Sequence, residues 1–214
     1  MQRASLVFIL CFSAPIAHAQ RDAGSLAAVK KWRFNPEKIY IVARGTQTKG
    51  GLLAQSFNRM DRQITHVGIG FYSGKGFQIY NVSDVRALAG SALVVDSLDS
   101  FSAGNEMRYL SIWECDNDLK ELELAKKVCS DFQKRQISFD PTFRISRDDT
   151  LYCSEFCAEV FRRIDAAKFQ FQPRTITLNN ALYETVLRTK TLTYFPVDFF
   201  QNTKSIKKVA GWQL

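Results

Sequence analysis

Of the two histidines in this 214-residue chain, His18 and His66, only His66 lies outside the first twenty residues. There is no CxxC or HxxxH spacing. Metal binding by His66, Cys153 and Cys157 would therefore rest on a thin donor set, and neither a metal nor any other cofactor is expected. Beyond the N-terminal segment no apolar run is long enough to cross a bilayer as a helix. Repeats, low-complexity blocks and Pro/Gly/Ser linkers are also missing, and the five prolines sit near apparent element boundaries. Lys and Arg outnumber Asp and Glu by 29 to 21, for a net charge of +8. The basic residues are scattered pairs such as Lys30-Lys31 and Lys207-Lys208, without an aromatic-interleaved groove. This excludes a nucleic-acid reader and leaves a weak general attraction to anionic envelope polymers or lipid.

The N-terminus is of a different kind. Arg3 precedes an apolar run from Ala4 to Pro15, and Ala17-His18-Ala19 is a small-x-small cleavage pattern. Residues 1–19 are expected to be a signal peptide cleaved after Ala19. Leu10 before Cys11 does not fit a lipoprotein signal. The mature chain, 20–214, is expected to be one periplasmic or secreted domain, and loss of Arg3 lowers its net charge by one.

Alternating or continuous apolar runs predict strands at Ile39–Ala43, Thr65–Tyr72, Phe77–Val82, Ala92–Val95 and Met107–Ile112, with Ser73-Gly74-Lys75-Gly76 as a hairpin turn. Helical spacing predicts helices over Leu52–Met60, Asp118–Lys134, a stretch starting near Cys153, and Leu178–Arg188. Strands in one block with helices around them make an α+β domain, an antiparallel sheet packed against helices.

Within this frame one imidazole and one thiol stand out. Period two puts His66, Gly68 and Gly70 on one face of their strand and Val67, Ile69 and Phe71 on the other. The two glycines cost strand stability, as though another backbone or a substrate must come close. Cys153 sits at a helix start. There the helix dipole and an imidazolium would lower its pKa, and free N–H groups could bind an oxyanion. A core histidine and structural cysteines are the competing readings. Cys115 and Cys129 could pair or be buried thiols, Cys157 continues an apolar helix face, and Asp140 could pin the loop before the Cys153 helix.

Thr65-His66-Val67-Gly68-Ile69, followed by Phe139-Asp140-Pro141-Thr142-Phe143 and Leu151-Tyr152-Cys153-Ser154-Glu155-Phe156, resembles the YaeF/YiiX-type permuted papain-like amidases of the NlpC-type cysteine hydrolase superfamily. The resemblance runs from Ile39 to Tyr194-Phe195-Pro196-Val197-Asp198. It implies a circularly permuted papain-like fold in which a strand histidine precedes the nucleophilic cysteine. It implies Cys153 as nucleophile, His66 as base, and the position of Asn81 as the residue that orients the histidine. Relatives carry glutamate at that position, so Asn81→Glu is expected to be milder than Asn81→Ala. Asn81 could equally bond backbone at a strand end. Tyr152 and Ser154 are candidates for contacting substrate or shaping the oxyanion site. The implied activity is a thiol-dependent hydrolase of amide or related acyl bonds, on small envelope peptides or lipid-linked acyl groups, with thioesterase or acyltransferase chemistry open. An inactive or disulfide-stabilised envelope scaffold on the same fold is the alternative.

Overall fold

The computed structural model describes residues 23–84, 90–104, 106–145 and 149–214. The proposed signal segment, 1–19, lies outside the described residues. Six strands form the main sheet: β1 (Tyr40–Thr46), β2 (His66–Ser73), β3 (Gly76–Val82), β4 (Leu93–Asp96), β5 (Met107–Cys115) and β10 (Ile206–Gln213). Their order is β10-β5-β1-β2-β3-β4, and every neighbouring pair is antiparallel. β1 lies centrally and is buried on both faces, which is why Tyr40-Ile41-Val42-Ala43 reads as a continuous apolar run. The turn between β2 and β3 is closed by Gly76 at φ +98°, a conformation that favours glycine.

Helices cover both faces. α4 (Leu119–Gln133) and α5 (Cys153–Ile164) pack on the face carrying Val67, Ile69 and Phe71, where Phe132, Phe156 and Phe161 complete the larger core. α1 (Ala23–Lys31) and α3 (Leu98–Phe101) lie on the other face, where Val29, Phe34 and Phe101 meet Tyr40, Val42 and Ile79. α4 begins at a capping box: Asp118 Oδ1 accepts the Glu121 N–H at 2.7 Å, and the Glu121 carboxylate accepts the Asp118 N–H at 2.8 Å. A third apolar cluster joins α2 (Lys49–Phe57), α6 (Ala181–Leu187), and the ribbon of β8 (Arg174–Thr177) and β9 (Thr191–Tyr194). The fold is α+β, as the strand and helix patterns predict.

Several boundaries differ for local reasons. α2 starts at Lys49 because Thr48 caps it, its hydroxyl accepting the Gly51 N–H at 3.0 Å, although Gly50-Gly51 discourages a helix there. α6 starts at Ala181, capped by Asn180, and ends where Arg188 turns left-handed at φ +52°. The glycines of β2 admit the neighbouring strand, at Gly68 partly its backbone as expected, since a Cβ there would lie 2.9 Å from the Tyr80 carbonyl oxygen. A Cβ on Gly68 would lie 2.7 Å from Ile79 Cγ2 and 3.0 Å from Asn81 Cβ, and one on Gly70 would lie 2.5 Å from the Phe77 ring. They make room for side chains of β3, which cross the strand at these two points.

Candidate active site

The start of α5 is held in place from both sides. Before it, β6 (Ser138–Phe139) and β7 (Thr150–Leu151) pair in parallel. Buried Asp140 pins the intervening loop, accepting from the Thr142 N–H and hydroxyl at 2.8 and 2.7 Å and from the Arg144 N–H at 2.9 Å. Across from it, the Tyr152 hydroxyl accepts the Phe195 N–H and the Ser154 hydroxyl donates to the Phe195 carbonyl, both at 2.8 Å. Tyr152 and Ser154 thus bracket one residue of the 194–198 segment. Their hydroxyls are committed to that clamp, and what each offers the adjoining cavity is ring or backbone.

Cys153, the first residue of α5, is 6 % exposed. It lines a cavity of about 380 Å³ together with His66 and Arg44. His66 opens β2 and is paired across the sheet with Arg44. Its Nε2 lies 2.9 Å from Asn81 Oδ1. Asn81, 1 % exposed, therefore bonds the histidine as well as strand backbone: its Nδ2 donates to Asp96 Oδ2 at 3.0 Å and to the Val94 carbonyl at 3.4 Å. An Oδ1 acceptor makes Nε2 the protonated nitrogen of a neutral imidazole and leaves the Nδ1 lone pair free to take a proton. His66, bonded to Asn81, thus shares the cavity wall with Cys153.

Sequence reading missed Arg44 and Asp96. Arg44 Nη1 donates to the Phe101 carbonyl at 2.7 Å, and its guanidinium lies 4.7 Å from the centre of the Phe101 ring. That ring is also the aromatic neighbour of His66, with centroids 5.7 Å apart. Neither residue belongs to a local motif; each reaches the site only through strand register.

The electrostatics also depart from expectation. Burial, and then the Arg44 charge, hold the His66 pKa down to about 3, against the opposing pull of Asn81 and Asp96. Burial pushes the Cys153 thiol above its ordinary value, although the N–H groups of Val67, Ser154 and Cys153 itself, and Arg44, favour the thiolate. The resting pair is thus a neutral thiol and a neutral imidazole, because desolvation outweighs the helix N-terminus. Thiolate then forms as pH rises, and because the thiol lies above its ordinary value, alkylation of Cys153 should still be climbing where a free cysteine levels off. A rate that is flat down to about pH 5 would instead mark a thiolate–imidazolium pair. Stopped alkylation followed by peptide mass spectrometry measures it.

Among the described residues Cys115, Cys129, Cys153 and Cys157 are all buried free thiols. Burial raises the pKa of Cys115, Cys129 and Cys157 as well. No group of three or more His, Cys, Asp or Glu among the described residues is placed to hold a metal ion, and no described helix is long and apolar enough to cross a membrane.

No family model matches the chain, and no curated protein matches it significantly. A solved structure does: the crystal structure of the metalloprotein yiiX from Escherichia coli O157:H7, of the DUF1105 group. It superposes with a TM-score of 0.63 over 85 % of this chain and 100 % of that one, at 13 % identity. The two share a fold.

Proposed function

With the yiiX fold as premise, we propose that this chain is a YiiX-type cysteine hydrolase acting on amide or related acyl bonds. The observation that carries the reading is the shared cavity wall of Cys153 and His66, with His66 held through Nε2 so that Nδ1 is the free base. In the forward step His66 Nδ1 takes the thiol proton as sulfur attacks the carbonyl carbon, forming the C–S bond. Backbone N–H groups at the start of α5 stabilise the oxyanion. Collapse breaks the bond to the leaving group, which takes the proton from His66. Water, deprotonated by the same nitrogen, then hydrolyses the thioester and restores the thiol.

The cavity wall is mainly apolar, with Leu53, Phe57, Phe139, Phe143, Leu192 and Pro196 among its residues. It suits an acyl or peptide group with an apolar side better than a highly charged one. Among the described residues no donor set fits a metal, so the description of yiiX as a metalloprotein contributes no step here. Placement in the periplasm or outside the cell is part of the proposal, and rests on the pattern of residues 1–19.

An activated acyl ester offered to the intact protein should leave its acyl group on Cys153, seen as a mass increment on that peptide that decays as hydrolysis proceeds. An increment on another cysteine, or none in a folded preparation, contradicts the assignment. An inactive scaffold on this fold would give the latter result.

A further inference from the structure

Resting on that reading, we propose that Asp96 is the residue that positions the catalytic base. It fixes which way the Asn81 amide faces and supplies the site with its anion one residue removed from the histidine.

Asn81 is fully enclosed between His66 and Asp96, and an amide in that place has two orientations. With Oδ1 toward His66, Nε2 carries the proton and Nδ1 is the base. Rotated by half a turn, Nδ2 would point at the ring, Nε2 would have to accept, and the proton would move to Nδ1, which removes the base. Asp96 and the Val94 carbonyl both only accept and so draw Nδ2 away from the ring, and Asp96 makes the shorter of the two bonds, 3.0 Å against 3.4 Å. Its other oxygen is occupied: Ser100 Oγ donates to Asp96 Oδ1 at 2.7 Å, and the carboxylate is 5 % exposed. Ser97, the cap of α3, follows Asp96 directly, so the helix that carries Ser100 is anchored at the same corner.

The placement follows from register. Asp96 lies opposite Ile79 across β3 and β4, and Asn81 is opposite Val94, which makes Asp96 the diagonal neighbour of Asn81 on one face. A carboxylate that contacts His66 directly would join charge and acceptor in one side chain. Here the acceptor is Asn81 and the charge is Asp96.

The two side chains have the same shape, so the roles can be exchanged without changing volume. Asp96→Asn should release the amide orientation. In a 15N-edited NMR spectrum of the folded protein, His66 should pass from the Nε2–H form to a mixture with the Nδ1–H form. Acylation of Cys153 should slow by about ten- to a hundredfold, the range for losing a group that orients a functional histidine. Asn81→Asp alone places two carboxylates against one another, one of which must take a proton, and should be impaired as well. The double exchange, Asn81→Asp with Asp96→Asn, returns one charge and the bonds that link His66, position 81, position 96 and Ser100, losing only the long one to the Val94 carbonyl, and should recover most of the lost rate and the Nε2–H signal. A folded Asp96→Asn protein with the wild-type tautomer and rate overturns the proposal, as does a double exchange no better than its worse single variant. If Asp96→Asn does not fold, Ser100→Ala removes one hydrogen bond that holds the carboxylate and should bring in the Nδ1–H form at a smaller population; an unchanged spectrum overturns the proposal. The tautomer is read without turnover, so loss of the hydrolase reading through an unacylated Cys153 is distinguishable from failure here.

Discussion

His66→Ala lowers the rate of Cys153 acylation at neutral pH by about three orders of magnitude while the fold is kept. The size follows from the resting state. Were the thiol already ionised, removing the imidazole would cost the nucleophile little. Burial raises the Cys153 thiol and keeps His66 neutral, so the proton must leave sulfur as the C–S bond forms, and His66 Nδ1 is the group the geometry offers. Asn81→Ala should cost less, about one to two orders, because the imidazole remains but loses the partner that fixes its proton. Stopped-flow acylation of the variants measures both, with circular dichroism to confirm folding. Asn81→Glu is expected to be milder than Asn81→Ala, but beside Asp96 it places two carboxylates together, one of which must take a proton, and that lessens its advantage.

The second large effect lies in stability. Asp198, 3 % exposed, accepts the N–H groups of Arg59, Met60 and Asp61 on a single oxygen, Oδ2, at 2.9, 2.5 and 3.0 Å. It thereby ties the C-terminal wall of the cavity to the turn after α2. Two neighbours reinforce the same join: the Tyr194 hydroxyl donates to the Phe57 carbonyl at 2.6 Å, and the Val197 N–H donates to Asn58 Oδ1 at 3.1 Å. Asp198→Ala leaves three donors without their acceptor. Charge-assisted bonds of this kind contribute about 1.5–3 kcal/mol each when fully buried, but these N–H groups are partly reached by water, so the total should be roughly 2–4 kcal/mol. For a chain of this size that lowers Tm by about 5–12 °C. Asp198→Asn keeps an acceptor oxygen and should lose less than half as much. Thermal melts of the two variants decide this, and equal Tm for wild type and Asp198→Ala would show that the join contributes nothing.

What could be read in the sequence was what is written in consecutive residues. Alternation disclosed β2 and β3, the apolar spacing and Asp118 disclosed α4, and Tyr152-Cys153-Ser154 marked a helix start. β10 escaped because an edge strand carrying Lys207, Lys208 and Gly211 lacks a clean alternation, and charges are what such an edge is expected to carry. The ribbon of β8 and β9 is short and half-exposed, and its apolar residues pack on a small separate cluster. Arg44 and Asp96 were hidden for another reason. Each ends or interrupts an apolar run, like many surface charges, and only pairing with β2 and β3 shows that they converge on His66 and Asn81. The glycines of β2 were visible and the close backbone at Gly68 was expected, but not the side chains of Phe77 and Ile79 that cross them from the neighbouring strand.

The central claim is that Cys153 and His66 act as one unit, and residue-resolved acylation of the four cysteines tests it most directly. Intact wild type and His66→Ala are treated with the same activated acyl ester at neutral pH, and each cysteine peptide is quantified over time. The expected result is fast labelling of Cys153, little at Cys115, Cys129 and Cys157, and loss of the Cys153 signal alone when His66 is replaced. Equal labelling of all four cysteines, or a Cys153 rate indifferent to His66, would contradict it.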